Sequence, residues 1–593
     1  MIRALGLAAA LLLGGMAPAF AQSAADKHAA LEKLFAEEWE RGLSDSPENA
    51  SYNGDVRYND RWTDYSLAAI SKRAEADKAA LQRLHTIGRD GLNPADQLNY
   101  DTFEWNLQQA VSRQRFHEEL LPISHQSGVQ LADGMAEIVP FQNTADYRKW
   151  LARLGGIDTW VDQILVLMGK GVAEGYMPPR VLMERVQGQI ATQIVDEPTR
   201  SPFYRAFQKF PDGVPEADRA ALQGEAQALI RNEIVPAFRK LQAYFEQTYL
   251  PASRSTIAIS ALPNGQDYYA ALAAYYTTTA LTPKQIHALG LKEVARIRAE
   301  MEKIKTQVGF KGDLPAFFDH LRSDPRYFYK TPDELFTAYQ ALSKRIDPEL
   351  VKVFHTIPRL PYGVRPIPDN VAPDTTTAYY QPGAADGSRA GFYYVNLYKP
   401  ESRPKWEMMA LSLHEAVPGH HFQMSRGIEL PDMPMFRKTA YFVAYGEGWG
   451  LYAERLGYDM GLYDDPYDRF GQLTYDMWRA VRLVVDTGMH SMGWSREQAI
   501  AYFKANAAKT DQDIVNEIDR YIAWPGQALA YKIGQLKISE LREKSAKALG
   551  PKFDLRAFND EVLNTGSVPL ETLERHIDAW IAAQQRQDLP ASH

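Results

Sequence analysis

Apolar residues recur at helical spacing through much of the chain. They fall three and four apart in Ala29-Leu31-Leu34-Phe35-Trp39, in Leu151-Leu154-Trp160-Ile164-Leu165 and in Leu222-Ala226-Leu229-Ile230-Ile234. Such spacing lines up one helix face, so residues 24–351 are predicted to be mostly helical, with these side chains as core. Pro178-Pro179 and Pro211-Asp212 punctuate the run. Thr282-Pro283-Lys284-Gln285 reads as a helix start, with a threonine cap, proline in the first turn and glutamine at the third position. Residues 313–342 repeat that style. From about Leu360 to Leu397 the texture changes. Tyr379-Tyr380 and Gly391-Phe392-Tyr393-Tyr394-Val395-Asn396-Leu397 are aromatic and β-branched between Pro, Gly and Asp turns, which predicts a small sheet. Helical spacing then returns and persists into the amphipathic stretch 554–587. The expected fold is mainly α: a two-lobed helical body with a small β-sheet, divided into a helical lobe over 22–355 and a second lobe over 356–593.

The first 21 residues depart from this pattern. Arg3 is followed by an apolar run from Ala4 to Met16, and Ala19-Phe20-Ala21 is a small-x-small cleavage site before Gln22. Residues 1–21 therefore read as a secretory signal, and the expected destination is the periplasm. The run is too short to span a membrane, and no later stretch is apolar enough, so stable membrane insertion is not expected after signal cleavage. The chain has no cysteine. A lipid-anchored precursor is thereby excluded, and an exported chain of this size must hold together by packing rather than disulfides. Lys plus Arg number 66 against 74 Asp plus Glu; without Arg3 the balance is 65 − 74 = −9. That mild acidity argues against a nucleic-acid partner.

Candidate chemistry concentrates in Leu413-His414-Glu415-Ala416-Val417-Pro418-Gly419-His420-His421, followed by Gly446-Glu447-Gly448-Trp449. Three histidines and two glutamates, from a chain with 13 histidines, could supply zinc with two imidazoles and a carboxylate and leave one glutamate as a base. The familiar arrangement is H-E-x-x-H on one helix. Here Pro418 stands where the second histidine would be. On an unbroken helix His420 would lie about 240° around from His414, and His421 about 10 Å further along the axis. Neither could share an ion with His414 through bonds of about 2.0–2.1 Å. Pro418-Gly419 is therefore expected to loop the backbone and return His420, in preference to His421, to the metal. Glu447, on a following helix, is the expected third ligand. The competing reading is a buried polar cluster at a kinked helix.

H-E-A-V-P-G-H-H-F-Q with G-E-G-W-G-L-Y resembles the bacterial family called domain of unknown function 885, which is grouped with gluzincin-type zinc metallopeptidases. The resemblance is sharpest over residues 378–534. It implies His414, His420 and Glu447 as zinc ligands and Glu415 as general base, hence zinc-dependent hydrolysis of peptide bonds in oligopeptides. The alternatives are a metal-dependent hydrolase of a non-peptide amide and a non-catalytic helical binding protein. Many gluzincin-type enzymes lay a peptide along an edge strand beside the zinc helix. Phe392 to Asn396, with Tyr394, is expected in that role, though an ordinary core strand fits the pattern equally.

Other residues suit supporting roles. Glu454, two turns beyond Glu447 on the same face, suits a carboxylate that accepts the free ring proton of a ligand histidine. Arg482, Asp486 and His490 are spaced by four and share one face of a helix that is otherwise apolar. Such a buried row is either a structural network or part of the site; the resemblance, in whose family pattern this segment recurs, implies His490 at the site and Asp486 behind it. Tyr531 and Tyr521 are candidates, with His490, to donate a hydrogen bond to the tetrahedral oxyanion. Arg520 could grip a substrate carboxylate with its planar fork.

Overall fold

A computed structural model describes residues 23–586, apart from 370, 371, 375, 385, 386 and 388. The signal assigned to residues 1–21 lies outside the described residues. Among the described residues 72% are helical and one three-stranded sheet is present, as expected for a mainly α fold with a small sheet. Local signals placed many helix ends. Thr282 caps the helix Pro283–Gln307 in a reciprocal capping box with Gln285, and Thr331 does the same with Glu334 for Pro332–Ile346. The apolar run around Leu151–Leu165 is two helices, Thr144–Leu154 and Ile157–Glu174, because Gly155-Gly156 breaks it.

The axis of the fold is the helix Pro466–Ser491. From Phe470 to His490 every residue is buried except Trp478, polar side chains included. An α-helix buried on every side must find internal partners for each polar group. Asp476 meets Lys532 at 2.5 Å and Arg296 at 2.9 Å, and Thr487 meets the His287 ring at 2.8 Å. Pro283–Gln307 packs along this helix so closely that a β-carbon on Gly290 would lie 2.7 Å from Leu483 Cβ. The apolar cores run across position 355. The largest joins Trp62 and Leu241 to Trp406, Val484 and Ala528, and a second joins Ala273 and Ile346 to Trp449 and Ile577.

The sheet consists of β1 (Tyr362–Pro366), β2 (Ala378–Gln381) and β3 (Gly391–Val395), in the order β1-β3-β2. β3 runs parallel to β1 (Tyr362 opposite Gly391) and antiparallel to β2 (Ala378 opposite Val395). This corrects the expected role of Phe392–Asn396. β3 is the central strand, both its edges are paired, and no peptide can be added to it. Along it Tyr393 and Val395 pack with Met408 and Leu411 of the following helix. Tyr394 alternates to the other face, where its ring stacks on Tyr379 at 4.9 Å. That places Tyr394 on the face turned away from the His414 helix.

Candidate metal centre

The helix Met408–Glu415 is buried from Met408 to His414 and ends where the sequence turns to Ala-Val-Pro-Gly. The backbone leaves helical geometry at Ala416 and re-enters a helix, His420–Glu429, after Gly419. Glycine is required at 419 by close approach: a β-carbon there would sit 1.8 Å from the His414 carbonyl oxygen. Trp449, from the helix Val443–Met460, donates its indole N–H to the Pro418 carbonyl at 2.8 Å and braces the loop.

The loop turns His420 back onto His414, with ring centroids 4.8 Å apart and planes nearly perpendicular. Both Nε2 atoms converge on one oxygen: Glu447 Oε2 lies 3.5 Å from His414 and 3.4 Å from His420. Ligand atoms from all three residues fall within 4.8 Å of one another. Tetrahedral bonds of about 2.0–2.1 Å place neighbouring ligand atoms about 3.3 Å apart, so the nitrogen–carboxylate spacing fits one shared ion of zinc's size. The donor set, two imidazoles and a carboxylate, suits the same metal.

His421 turns the other way. Its Nδ1 is 2.9 Å from the Tyr380 hydroxyl and 3.3 Å from that of Ser425, and burial pushes its pKa down to about 4. It ties the His420 helix to the sheet.

Glu454 stands where its spacing predicts, with Oε1 2.9 Å from His414 Nδ1. A carboxylate there holds the proton on Nδ1 and leaves the Nε2 lone pair facing Glu447. Gly450, between the two glutamates, makes room for the ring: an added β-carbon would lie 2.8 Å from His414 Cε1. Burial opposes charge on His414, but Glu447 and Glu454 outweigh it and raise the imidazole to about 9. Burial would raise Glu447, yet His420 and His414 hold it well below the usual carboxylate range. The centre is thus a cage with excess negative charge that takes up a positive one. Glu415, next to His414, is raised by burial, with the two histidines opposing.

The predicted oxyanion donors separate. His490 is fully buried and both ring nitrogens are committed: Nδ1 accepts from the Ile259 N–H at 3.2 Å, and Nε2 donates to the Tyr521 carbonyl at 3.0 Å. Burial pushes its pKa to about 4. It is a neutral strut rather than a site residue. Tyr521 is likewise spent, because its hydroxyl donates to Glu517 at 2.6 Å and accepts from Arg482 Nε at 2.7 Å. Asp486 does not back the metal ligands; it accepts from the Tyr269 hydroxyl at 2.5 Å and the Gly526 N–H at 3.1 Å. Arg520 is partly committed, to Gln527 at 3.1 Å and Glu517 at 3.5 Å. Tyr531 differs. Its hydroxyl accepts from Arg520 at 3.3 Å, and Arg482 lies 4.4 Å over its ring.

Sequence reasoning missed Tyr441. Its hydroxyl donates to Glu447 Oε1 at 3.3 Å. Burial of the hydroxyl end, then Glu447, Tyr531 and Glu415, push its pKa well up, so it stays a proton-bearing donor in the same neighbourhood as Tyr531. The available signal was local: Gly446 admits the Tyr441 ring, to which a β-carbon would come within 2.5 Å.

Comparisons with known proteins agree on the fold. No curated protein matches the chain. The crystal structure of a "putative lipoprotein" from Colwellia psychrerythraea is 28% identical and superposes with a TM-score of 0.88, over 94% of this chain and 100% of that one. A "putative lipoprotein of unknown function" from Shewanella oneidensis is 19% identical, with a TM-score of 0.71 over 94% and 99% of the two chains, and shares the fold. The family model described as a bacterial protein of unknown function, DUF885, matches residues 47–577, and the chain belongs to that family.

Proposed function

We propose that the protein is an exported zinc-dependent peptidase acting on oligopeptides. The observation that carries this reading is the convergence of His414 Nε2 and His420 Nε2 on one Glu447 oxygen, at 3.5 and 3.4 Å, with Glu415 adjacent in sequence and raised by burial. Zinc, when held by these three residues, supplies Lewis acidity to a scissile carbonyl and to a water molecule. Glu415 takes the proton of the attacking water and passes it to the leaving amine, a role favoured by a carboxyl raised toward neutrality. Glu454 keeps His414 in the tautomer that presents Nε2. Tyr441 and Tyr531 are the hydroxyls left to steady a developing oxyanion; losing one such donor costs about 2.7–4 kcal/mol. The outer strands of the sheet are β1 and β2, of which β2 reaches His421 through Tyr380.

Export to the periplasm is supported by the signal pattern of residues 1–21 and by the description of the Colwellia psychrerythraea relative as a "putative lipoprotein". No helix among the described residues is long and apolar enough to cross a membrane.

The test is zinc content measured together with turnover of a mixed peptide substrate by the wild type and Glu415→Gln. The expected result is retained zinc and cleavage reduced at least about a thousandfold. Unchanged cleavage removes Glu415 from the mechanism. Turnover of an amide library but of no peptide transfers the same machinery to a non-peptide amide.

A further inference from the structure

Tyr441 has a second role in the geometry. While its hydroxyl reaches Glu447, its ring walls a recess of about 120 Å³. Trp105, from the helix Pro94–Arg113, and Tyr275 and Tyr276, from the helix Gly265–Thr277, form the opposite walls. Ala440 and Phe442 flank Tyr441. The rings brace one another: Trp105 stacks on Tyr275 at 5.6 Å and meets Phe442 edge-on at 5.2 Å, and Tyr276 meets Tyr275 edge-on at 5.1 Å. The recess is therefore held open by contacts among its walls. No charged side chain among the described residues lines it, but its lining is about as polar as apolar, with Asn106 and the three tyrosines beside the ring faces. Tyr441 is 44% exposed, a large apolar surface left to water one side chain away from a metal ligand.

The aromatic ring faces in the recess favour an apolar group that covers them, and the size selects which one. An apolar cavity of about 150 Å³ accepts benzene. A recess of 120 Å³ with an open mouth suits a phenyl or isobutyl group and is small for an indole. Resting on the reading of the centre as a peptidase site, we infer that this recess is a specificity subsite. It receives the phenylalanine- or leucine-like side chain of a residue flanking the scissile bond, and Tyr441 is the wall shared with the metal centre. A charged side chain there would lose its hydration with no partner in exchange.

The test separates binding from turnover. Zinc-loaded Glu415→Gln is titrated by calorimetry with acetylated hexa-alanine peptides in which a single Phe, Leu or Asp is moved through the positions. At one position Phe and Leu are expected to bind about tenfold or more tighter than Ala, and Asp no tighter than Ala. Ala440→Leu and Asn106→Leu, each added separately, fill the recess from different walls. Each is expected to reduce the Phe advantage to under about threefold while leaving zinc content and the affinity for hexa-alanine unchanged. A Phe peptide that binds no tighter than hexa-alanine at any position overturns the inference, as does an advantage that survives both fillings. If wild type cleaves none of these peptides yet the preference appears and is lost on filling, the subsite stands and the peptidase reading falls.

Discussion

Gly450→Ala tests the centre at its tightest contact. The new β-carbon would lie 2.8 Å from His414 Cε1, 2.9 Å from Nε2 and 3.1 Å from Nδ1, whereas ordinary contact begins at 3.4 Å. The ring must therefore move by about 0.6 Å, while metal coordination tolerates about 0.2 Å. It cannot simply swing, because Glu454 holds Nδ1 at 2.9 Å on one side and His420 stands against it on the other. Zinc affinity should fall at least about 10–100-fold, the scale seen when a group that orients a ligand is disturbed. The metal-free protein should lose up to about 2.5 kcal/mol of stability. Ala gains about 0.5–1 kcal/mol over Gly inside a helix, against an overpacking cost of about 1–3 kcal/mol. Competitive zinc titration and urea unfolding of the metal-free protein read the two effects separately. Zinc affinity within twofold of wild type would show that residue 414 is not a ligand, and the centre as described would be refuted.

Two further outcomes follow from the surroundings. Glu454→Leu leaves the His414 Nδ1 proton buried without an acceptor and should weaken zinc binding about 10–100-fold, with Glu454→Gln, which can still accept, restoring most of the loss; equal effects of the two variants would remove Glu454 as the orienting group. Asp486 gives a pH dependence independent of the metal. Burial raises its carboxyl from 3.8 to about 7, so between pH 4 and 7 the folded state keeps a proton that the unfolded chain has lost. Its contribution is full below about pH 4 and is lost as pH rises through 7, at up to about 1.4 kcal/mol per pH unit. Asp486→Asn should flatten that slope in urea unfolding at pH 5 and pH 7, and an unaltered slope would contradict a protonated Asp486.

Residues 413–421 and 446–454 were legible because the chemistry they carry is written in local spacing. A proline four positions after His414 excludes the ordinary two-histidine helix turn, and a seven-residue step places Glu454 on the face of Glu447. Helix starts at Thr282 and Thr331 were legible for the same reason, since a cap is satisfied by residues three positions away. Aromatic and β-branched residues between Pro, Gly and Asp turns also announced the sheet. What folding in three dimensions decided was partnership. That β3 is central rather than an edge depends on β1 and β2 closing on both its sides. His490 and Tyr521 carry the right functional groups, but their hydrogen bonds are taken by Ile259, by each other's segment and by Arg482. Tyr441 joins the centre only because the loop before the Glu447 helix folds its ring across Gly446. Period and spacing state which face a side chain occupies; which distant group meets it there is set by packing, because a buried polar atom takes whichever partner the tertiary fold brings within reach.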